Sequence, residues 1–216
     1  MSRLRSRIDD RSDRGAALVE TALVAPILIL ILLGILEFGW LYRDQLTAND
    51  AVANAARLGS LQGAKNLETG ENADYVMMRS LREATASFDP EYWDNIIIFK
   101  AQSSAAGPPL DQVPAACKGG NSNNAADCNA YDPYEAFLAV QNGDADYFRC
   151  QSAGDPACGW DPEDPDARSD GPDALEIDYV GVYIKVDRPS LTGFFSDRVT
   201  IEEASIVRIE PGEVDP

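Results

Sequence analysis

The sequence predicts an α+β protein. A long N-terminal transmembrane helix continues into a small extracytoplasmic domain with an antiparallel sheet and a disulfide-stapled irregular insertion. Three observations predict this. Residues 16–42 are almost wholly apolar. Segments 95–101, 174–187 and 198–210 have the composition or alternation of strands. All four cysteines fall in a Gly/Asn/Asp/Pro-rich stretch between the first and second of these. The expected order is a basic cytoplasmic leader (1–15), a transmembrane helix (16–42) and a helical continuation with a second helix and first strand (43–101). A Cys/Pro/Asp-rich loop insertion (102–173) and C-terminal strands (174–216) follow.

The leader sets Arg3, Arg5, Arg7, Arg11 and Arg14 against Asp9, Asp10 and Asp13. After it comes AALVETALVAPILILILLGILEFGWLY, with Glu20 and Glu37 as its only charges. A bilayer's hydrocarbon core needs about 20 apolar helical residues, and Thr21 to Leu36 carries no charge. Phe38, Trp40 and Tyr42 suit a membrane–water interface. The alternative is a secretory signal peptide, whose apolar core runs about 7–15 residues before a small-residue cleavage site. Here bulky Phe38, Trp40, Leu41 and Tyr42 occupy that place. Basic residues flanking a span stay inside, and Arg43 is the only one close to its far end. The leader is therefore expected inside and the body outside.

The helix is expected to continue to about Leu58. RDQLTANDAVANAARLGSL is rich in Ala and Leu, and Leu46, Ala53, Arg57 and Leu61 recur at helical intervals. Pro26 removes one backbone hydrogen bond and predicts a kink or local loosening. A second helix is predicted over 71–87, with Val76, Met77, Leu81 and Ala84 on one face and Met77 and Met78 as core filler. NIIIFKA, 95–101, reads as a strand with Ile96 and Ile98 opposite Ile97 and Phe99.

The insertion is expected to be irregular. Tyr134–Val140 forms a short helix after Pro133, and the acidic, Pro-rich 155–173 is an exposed loop. Cys117, Cys128, Cys150 and Cys158 are an even set in the exterior part, and four cysteines allow three pairings. Short intervals favour Cys117–Cys128 and Cys150–Cys158. The rival is a zinc site of four thiolates, for which the usual CxxC spacing is absent. Asp161, Glu163, Asp164, Asp166, Asp170 and Asp173 raise the question of calcium. The EF-hand spacing is not met, because Arg168 and Ile177 occupy ligand positions around Gly171. A solvated loop is the simpler reading. Regular structure returns in 174–187, where Leu175, Ile177 and Tyr179 alternate with polar residues and Gly181 marks a possible bulge. With 198–210, where Val199, Ile201, Val207 and Ile209 share a parity, it forms an antiparallel pair.

The charge balance excludes whole classes of function. Against 36 acidic residues stand 18 basic ones, a net charge of −18, and there is no histidine. Nucleic-acid binding needs Lys and Arg to neutralise phosphates. Without histidine, Ser-His-Asp and Cys-His catalysis are impossible within the chain. No Gly-rich phosphate loop follows a strand, and no catalytic set or cofactor is indicated. The acidity belongs to the body, where residues 43–216 hold 13 basic and 31 acidic side chains.

The most informative spacing is Arg14-Gly15-Ala16-Ala17-Leu18-Val19-Glu20: a basic leader ending in Gly, then an acidic residue fifth in an apolar helix. A second unit, Ile35-Leu36-Glu37-Phe38-Gly39, closes the span, and Asn54-Ala55-Ala56-Arg57 ends an Ala/Asn-rich continuation. Over residues 14–57 the sequence resembles the TadE-like pseudopilins of the tight-adherence (Flp) pilus apparatus, within the type IV pilin class. SIVRIEP, 205–211, fits that family more weakly, and residue 21 is Thr where processed Flp-type pilins usually have an aromatic.

The resemblance implies a bacterial cytoplasmic-membrane protein cut between Gly15 and Ala16 by a prepilin peptidase. It implies other pilin or pseudopilin subunits and pilus assembly proteins as partners. Glu20 would meet a neighbouring subunit's N-terminal amine, neutralising both groups and setting axial register. The alternative is that Glu20 lies shallow and snorkels. Glu37 is either solvated near the outer interface, facing Arg43, or a second assembly contact. The other functional expectation is a membrane-tethered binding or adhesion module that uses residues 102–173.

Overall fold

The computed structural model describes residues 3–63, 71–101, 113–164, 167–168, 178–193 and 196–210, with side chains from Gly15 onward. Helix α1 runs from Arg3 to Gln62, 60 residues and about 90 Å at 1.5 Å per residue. It begins thirteen residues before the expected start, because the leader's Arg, Leu and Ser residues lack the Pro that would stop it. Helical structure passes through Pro26.

The distal third of α1 enters the domain. Ala48, Ala51, Val52, Ala55 and Ala56 are fully buried, a stripe at helical spacing. The stripe of Leu46, Ala53, Arg57 and Leu61 falls on the solvent side. The buried side is the alanine one because small residues let the helix approach its neighbours closely. Gly59 belongs to the same seam, since a Cβ there would lie 2.3 Å from Met77 Sδ on the next helix.

That helix is α2, Ala73–Ala84. Asn72 caps it by accepting the Tyr75 N–H at 3.0 Å. It ends three residues before the expected limit, where the Thr85 hydroxyl bonds back to the Leu81 carbonyl. Val76, Met77, Met78 and Leu81 are buried, whereas Ala84 is exposed in the last turn.

The sheet is antiparallel throughout. Its strands are β1 (Trp93–Lys100), β2 (Cys128–Tyr131), β3 (Tyr179–Pro189) and β4 (Arg198–Arg208), in the order β2-β1-β3-β4. Ile96 and Ile98 of β1 face α1 and α2, together with Val180, Val182, Ile184 and Val186 of β3. Ile97 and Phe99 face the other way, into a second core with Val113, Cys117, Cys128 and Tyr183. Both faces of β1 are covered, which explains the uninterrupted Ile-Ile-Ile-Phe run. Gly181 is no bulge: it pairs in register with Phe99 and Ile206. A Cβ there would sit 2.3 Å from Phe99 Cζ, so glycine makes room for the ring. The irregular register lies between Trp93 and Asn95. Leu175 and Ile177, expected in the same strand, lie outside the described residues.

The insertion holds more regular structure than expected. It supplies β2, then helix α3, Pro133–Asn142, capped by Asp132 and closed by Gly143 at φ 70°. The structure joins Cys117 to Cys128 and Cys150 to Cys158. All four sulfurs are thereby used, and the four-thiolate zinc alternative is removed. The segment 155–164 with 167–168 is not the exposed loop expected. Trp160 is 2% exposed and Arg168 1%. An indole and a paired guanidinium anchor this acidic stretch from within.

Candidate functional site

The residues singled out for function lie along one helix, and α1 separates them into two places. Gly15, Ala16 and Glu20 are close together and exposed. The Thr21 hydroxyl next to them donates to the Ala17 carbonyl at 2.8 Å, a bond within the helix. Glu37 lies about 25 Å further along the axis at helical rise, and there the helix meets the domain.

Between these two places the helix is almost bare as far as Leu32. Leu18, Leu23, Ile27, Ile31 and Ile35 are each more than half exposed. None of the most apolar 18-residue window is buried, whereas the core helix of a soluble protein would be mostly covered. Gly15–Gln62 is long and apolar enough to cross a membrane.

At Glu37 the helix holds the β3–β4 hairpin. The Leu191 N–H donates to Glu37 Oε1 at 2.9 Å, and the Thr192 N–H donates to Oε2 at 2.9 Å. The Thr192 hydroxyl also donates to Oε2, at 2.8 Å. Two turns on, Asp44 pairs with Arg188 at the end of β3. The carboxylate is therefore held within its own chain. Arg43 lies 5.5 Å over the Trp40 ring instead of facing Glu37. Sequence reasoning missed the hairpin partner because 154 residues separate Glu37 from Leu191. Nothing in the local pattern of either segment points to the other. We expect Glu37→Ala to speed amide hydrogen exchange selectively at Leu191 and Thr192. Exchange unchanged at both amides would mean that the clamp does not hold in solution.

The second polar constellation is buried and joins the insertion to α2. Asp74 and Arg168, 0% and 1% exposed at the side chain, pair at 2.6 Å. The Tyr131 hydroxyl donates to Asp74 Oδ2 at 2.6 Å, and Asn129 Nδ2 donates to the same oxygen at 2.8 Å. Arg168 Nη2 donates to the Trp160 carbonyl at 2.9 Å, and the guanidinium lies 4.2 Å over the indole. Burial, and then the Asp74 charge, push the Tyr131 hydroxyl well above its ordinary pKa. It remains a neutral donor at every physiological pH. An ion pair this enclosed, with Asp74 Oδ2 taking two further donors and Arg168 Nη2 a carbonyl, is a structural tie.

The acidic run yields no cation cage among the described residues. Asp161 Oδ1 accepts the Glu163 N–H, and Glu163 pairs with Arg149 at 2.9 Å. Asp166, Asp170 and Asp173 lie outside the described residues. No group of three or more Cys, Asp or Glu side chains is placed to hold a metal among those described. The insertion does contain an open polar cleft of about 390 Å³, lined among others by Asn121, Asn124, Asp132, Tyr147 and Asp155. Partial burial, with Asp132 and Glu135 nearby, pushes the Tyr147 hydroxyl up to about 12.

The comparison with curated proteins and that with solved structures each return no significant match. The family of TadE-like proteins does match, over residues 15–57. That range begins at Gly15, spans the bare apolar stretch and Glu37, and ends at exposed Arg57, next to Ala56 of the buried alanine stripe. Over those residues the N-terminal helix of this chain is similar to that of TadE-like proteins.

Proposed function

We propose that the chain is a membrane-anchored pseudopilin or minor pilin that acts in assembly of a Flp/Tad-type pilus. In this reading it packs against other subunits through its N-terminal helix. The family match suggests involvement in Tad pilus assembly, membrane association and a structural rather than enzymatic role. One observation carries the finer reading. The matched segment is a single helix whose first part is bare and apolar and whose last part is core of the folded domain. An anchor welded to its domain in this way transmits position, as a filament subunit requires. It also argues against a removable signal sequence, since cleavage beyond Glu37 would strip the hairpin of its clamp.

In this reading a prepilin peptidase cuts between Gly15 and Ala16, and the leader stays on the cytoplasmic side. The new amine on Ala16 meets Glu20 of an adjacent subunit. Each charge then has a partner in an apolar bundle where either alone would be costly. Glu37 contributes to assembly by fixing how the domain is presented on the helix. We expect Gly15→Leu to leave an uncut chain. N-terminal mass determination on the wild-type protein should find Ala16 first, and a mature chain starting at Met1 or Ser2 would remove the processing step.

A second reading rests on the polar cleft in the insertion, which supports a tethered binding or adhesion module. Replacing residues 16–36 with a generic apolar anchor separates the two, since it leaves Glu37 and its clamp in place. Loss of pilus assembly with a folded, inserted domain is expected of a helix-packing subunit. Unchanged assembly would favour the binding module.

A further inference from the structure

We propose that the tip of the β3–β4 hairpin is a lipid-contacting foot. It rests in the outer membrane–water interface beside α1 and holds the domain against the bilayer surface. The proposal builds on the reading of α1 as a membrane span.

The order of contacts along α1 sets the direction of the hairpin. The Glu210 N–H meets the Ser60 carbonyl, and Glu203 takes bonds from Asn49 and Gln45. Arg188 then pairs with Asp44, and the Leu191 and Thr192 amides reach Glu37. The contacts descend α1 in steps toward the apolar stretch. The hairpin tip is therefore the membrane-proximal end of this sheet.

The depth follows from helix geometry. Thr21 to Leu36 is uncharged and spans about 24 Å of a core that is about 30 Å thick. Glu37 is the first charge beyond it and stands at the outer boundary, beside exposed Phe38 and Trp40. On the face of α1 that carries Glu37, burial begins at Gly34, one turn inside the uncharged run. Ile35, Leu36 and Phe38 on the other faces are exposed.

The chemistry of the tip matches that depth. Leu191 is 53% exposed although its own N–H is fixed by Glu37. Among the described residues joining β3 to β4, the single charge is Asp197. That composition departs from the strongly acidic body around it. Turn amides in water need no protein acceptor, but backbone groups near hydrocarbon must be satisfied internally. Glu37 satisfies two of them, and those two donors with the Thr192 hydroxyl offset the cost of a carboxylate at the boundary.

The test places single spin labels on the full chain, at Leu191→Cys, Tyr134→Cys and Ile29→Cys. The chain is reconstituted in vesicles of phosphatidylethanolamine and phosphatidylglycerol. The native cysteines are bridged, so the added thiol takes the label. Accessibility to oxygen and to a water-soluble nickel complex reports depth. Tyr134, 62% exposed on α3, is the aqueous reference, and Ile29 reports the span. The expected result is an oxygen-to-nickel ratio at 191 several-fold above that at 134, falling toward it when Glu37→Ala releases the tip. A ratio at 191 equal to that at 134, with 29 in lipid, overturns the foot and leaves the span intact. An aqueous signal at 29 overturns the span reading, and the foot falls with it.

Discussion

Glu20→Ala is expected to abolish pilus assembly while leaving expression, membrane insertion and domain stability unchanged. Glu20 is exposed and lies about 25 Å along α1 from Glu37, where the helix meets the domain. Its loss therefore removes nothing that holds the domain. If the chain is cut after Gly15 and packs in an apolar bundle as proposed, the substitution removes the carboxylate that partners the new amine on Ala16. That amine would then be buried without a partner, or the subunit would slip to a register that exposes it. Replacement by alanine also makes the span more apolar, so insertion should not suffer. The measurement is electron microscopy of surface pili beside immunoblots of membrane fractions. Normal pili on a strain carrying only Glu20→Ala would sink the pairing role. Glu20→Asp is the finer probe: the charge persists but is drawn back by one methylene, so partial assembly is expected.

The second large effect is on stability. Asp74→Ala should cost about 3–5 kcal/mol, the usual result of breaking a buried pair by removing one partner. For a chain of this size, that corresponds to a fall of roughly 10 °C in melting temperature. Arg168 would be left fully enclosed with its charge facing an apolar gap, and the Tyr131 hydroxyl and Asn129 amide would lose their common acceptor. Arg168→Lys should rescue poorly. One guanidinium here reaches Asp74 through Nη1 and the Trp160 carbonyl through Nη2 while lying over the indole. A compact ammonium cannot reproduce all three. Thermal melts of the detergent-solubilised protein followed by near-ultraviolet circular dichroism would check this. If Asp74→Ala melts with the wild type, the network is not the tie between the insertion and α2.

Both effects concern carboxylates, yet only one of the two was visible in the sequence. Glu20 stands out because its neighbours are Leu, Val, Thr and Ala, and a charge in such a run is conspicuous. Asp74 is one of 36 acidic residues, set among Asn, Ala and Tyr where nothing marks it as buried. Its partners, Asn129, Tyr131 and Arg168, are 55 residues away or more. By composition Arg168 belongs to an exposed acidic loop. Composition averages over a segment, and one guanidinium drawn into the core does not change the average.

The elements divide along the same line. The apolar helix, the second helix, β1, the β3–β4 pair and α3 all announce themselves by periodicity or by flanking Pro and Gly within about a dozen residues. The strand β2 does not, because four residues, Cys-Asn-Ala-Tyr, carry no alternation long enough to read. It exists through its ladder with β1, where Ile96 lies opposite Tyr131 and Phe99 opposite Cys128.

The chain's order along its length therefore supplied the long apolar helix, the resemblance of residues 15–57 to TadE-like proteins, the class of fold and the placing of Gly15, Ala16, Glu20 and Glu37 along one helix. Those follow from local composition and spacing, and hydropathy and charge act on each residue where it stands. Folding in three dimensions decided which side of α1 became core, where Glu37 spends its charge, and that Asp74 and Arg168 are buried together. Each of those is a pairing between distant segments. Such pairings are governed by shape and by the need to satisfy every enclosed polar group, and neither quantity is written in any one stretch of sequence.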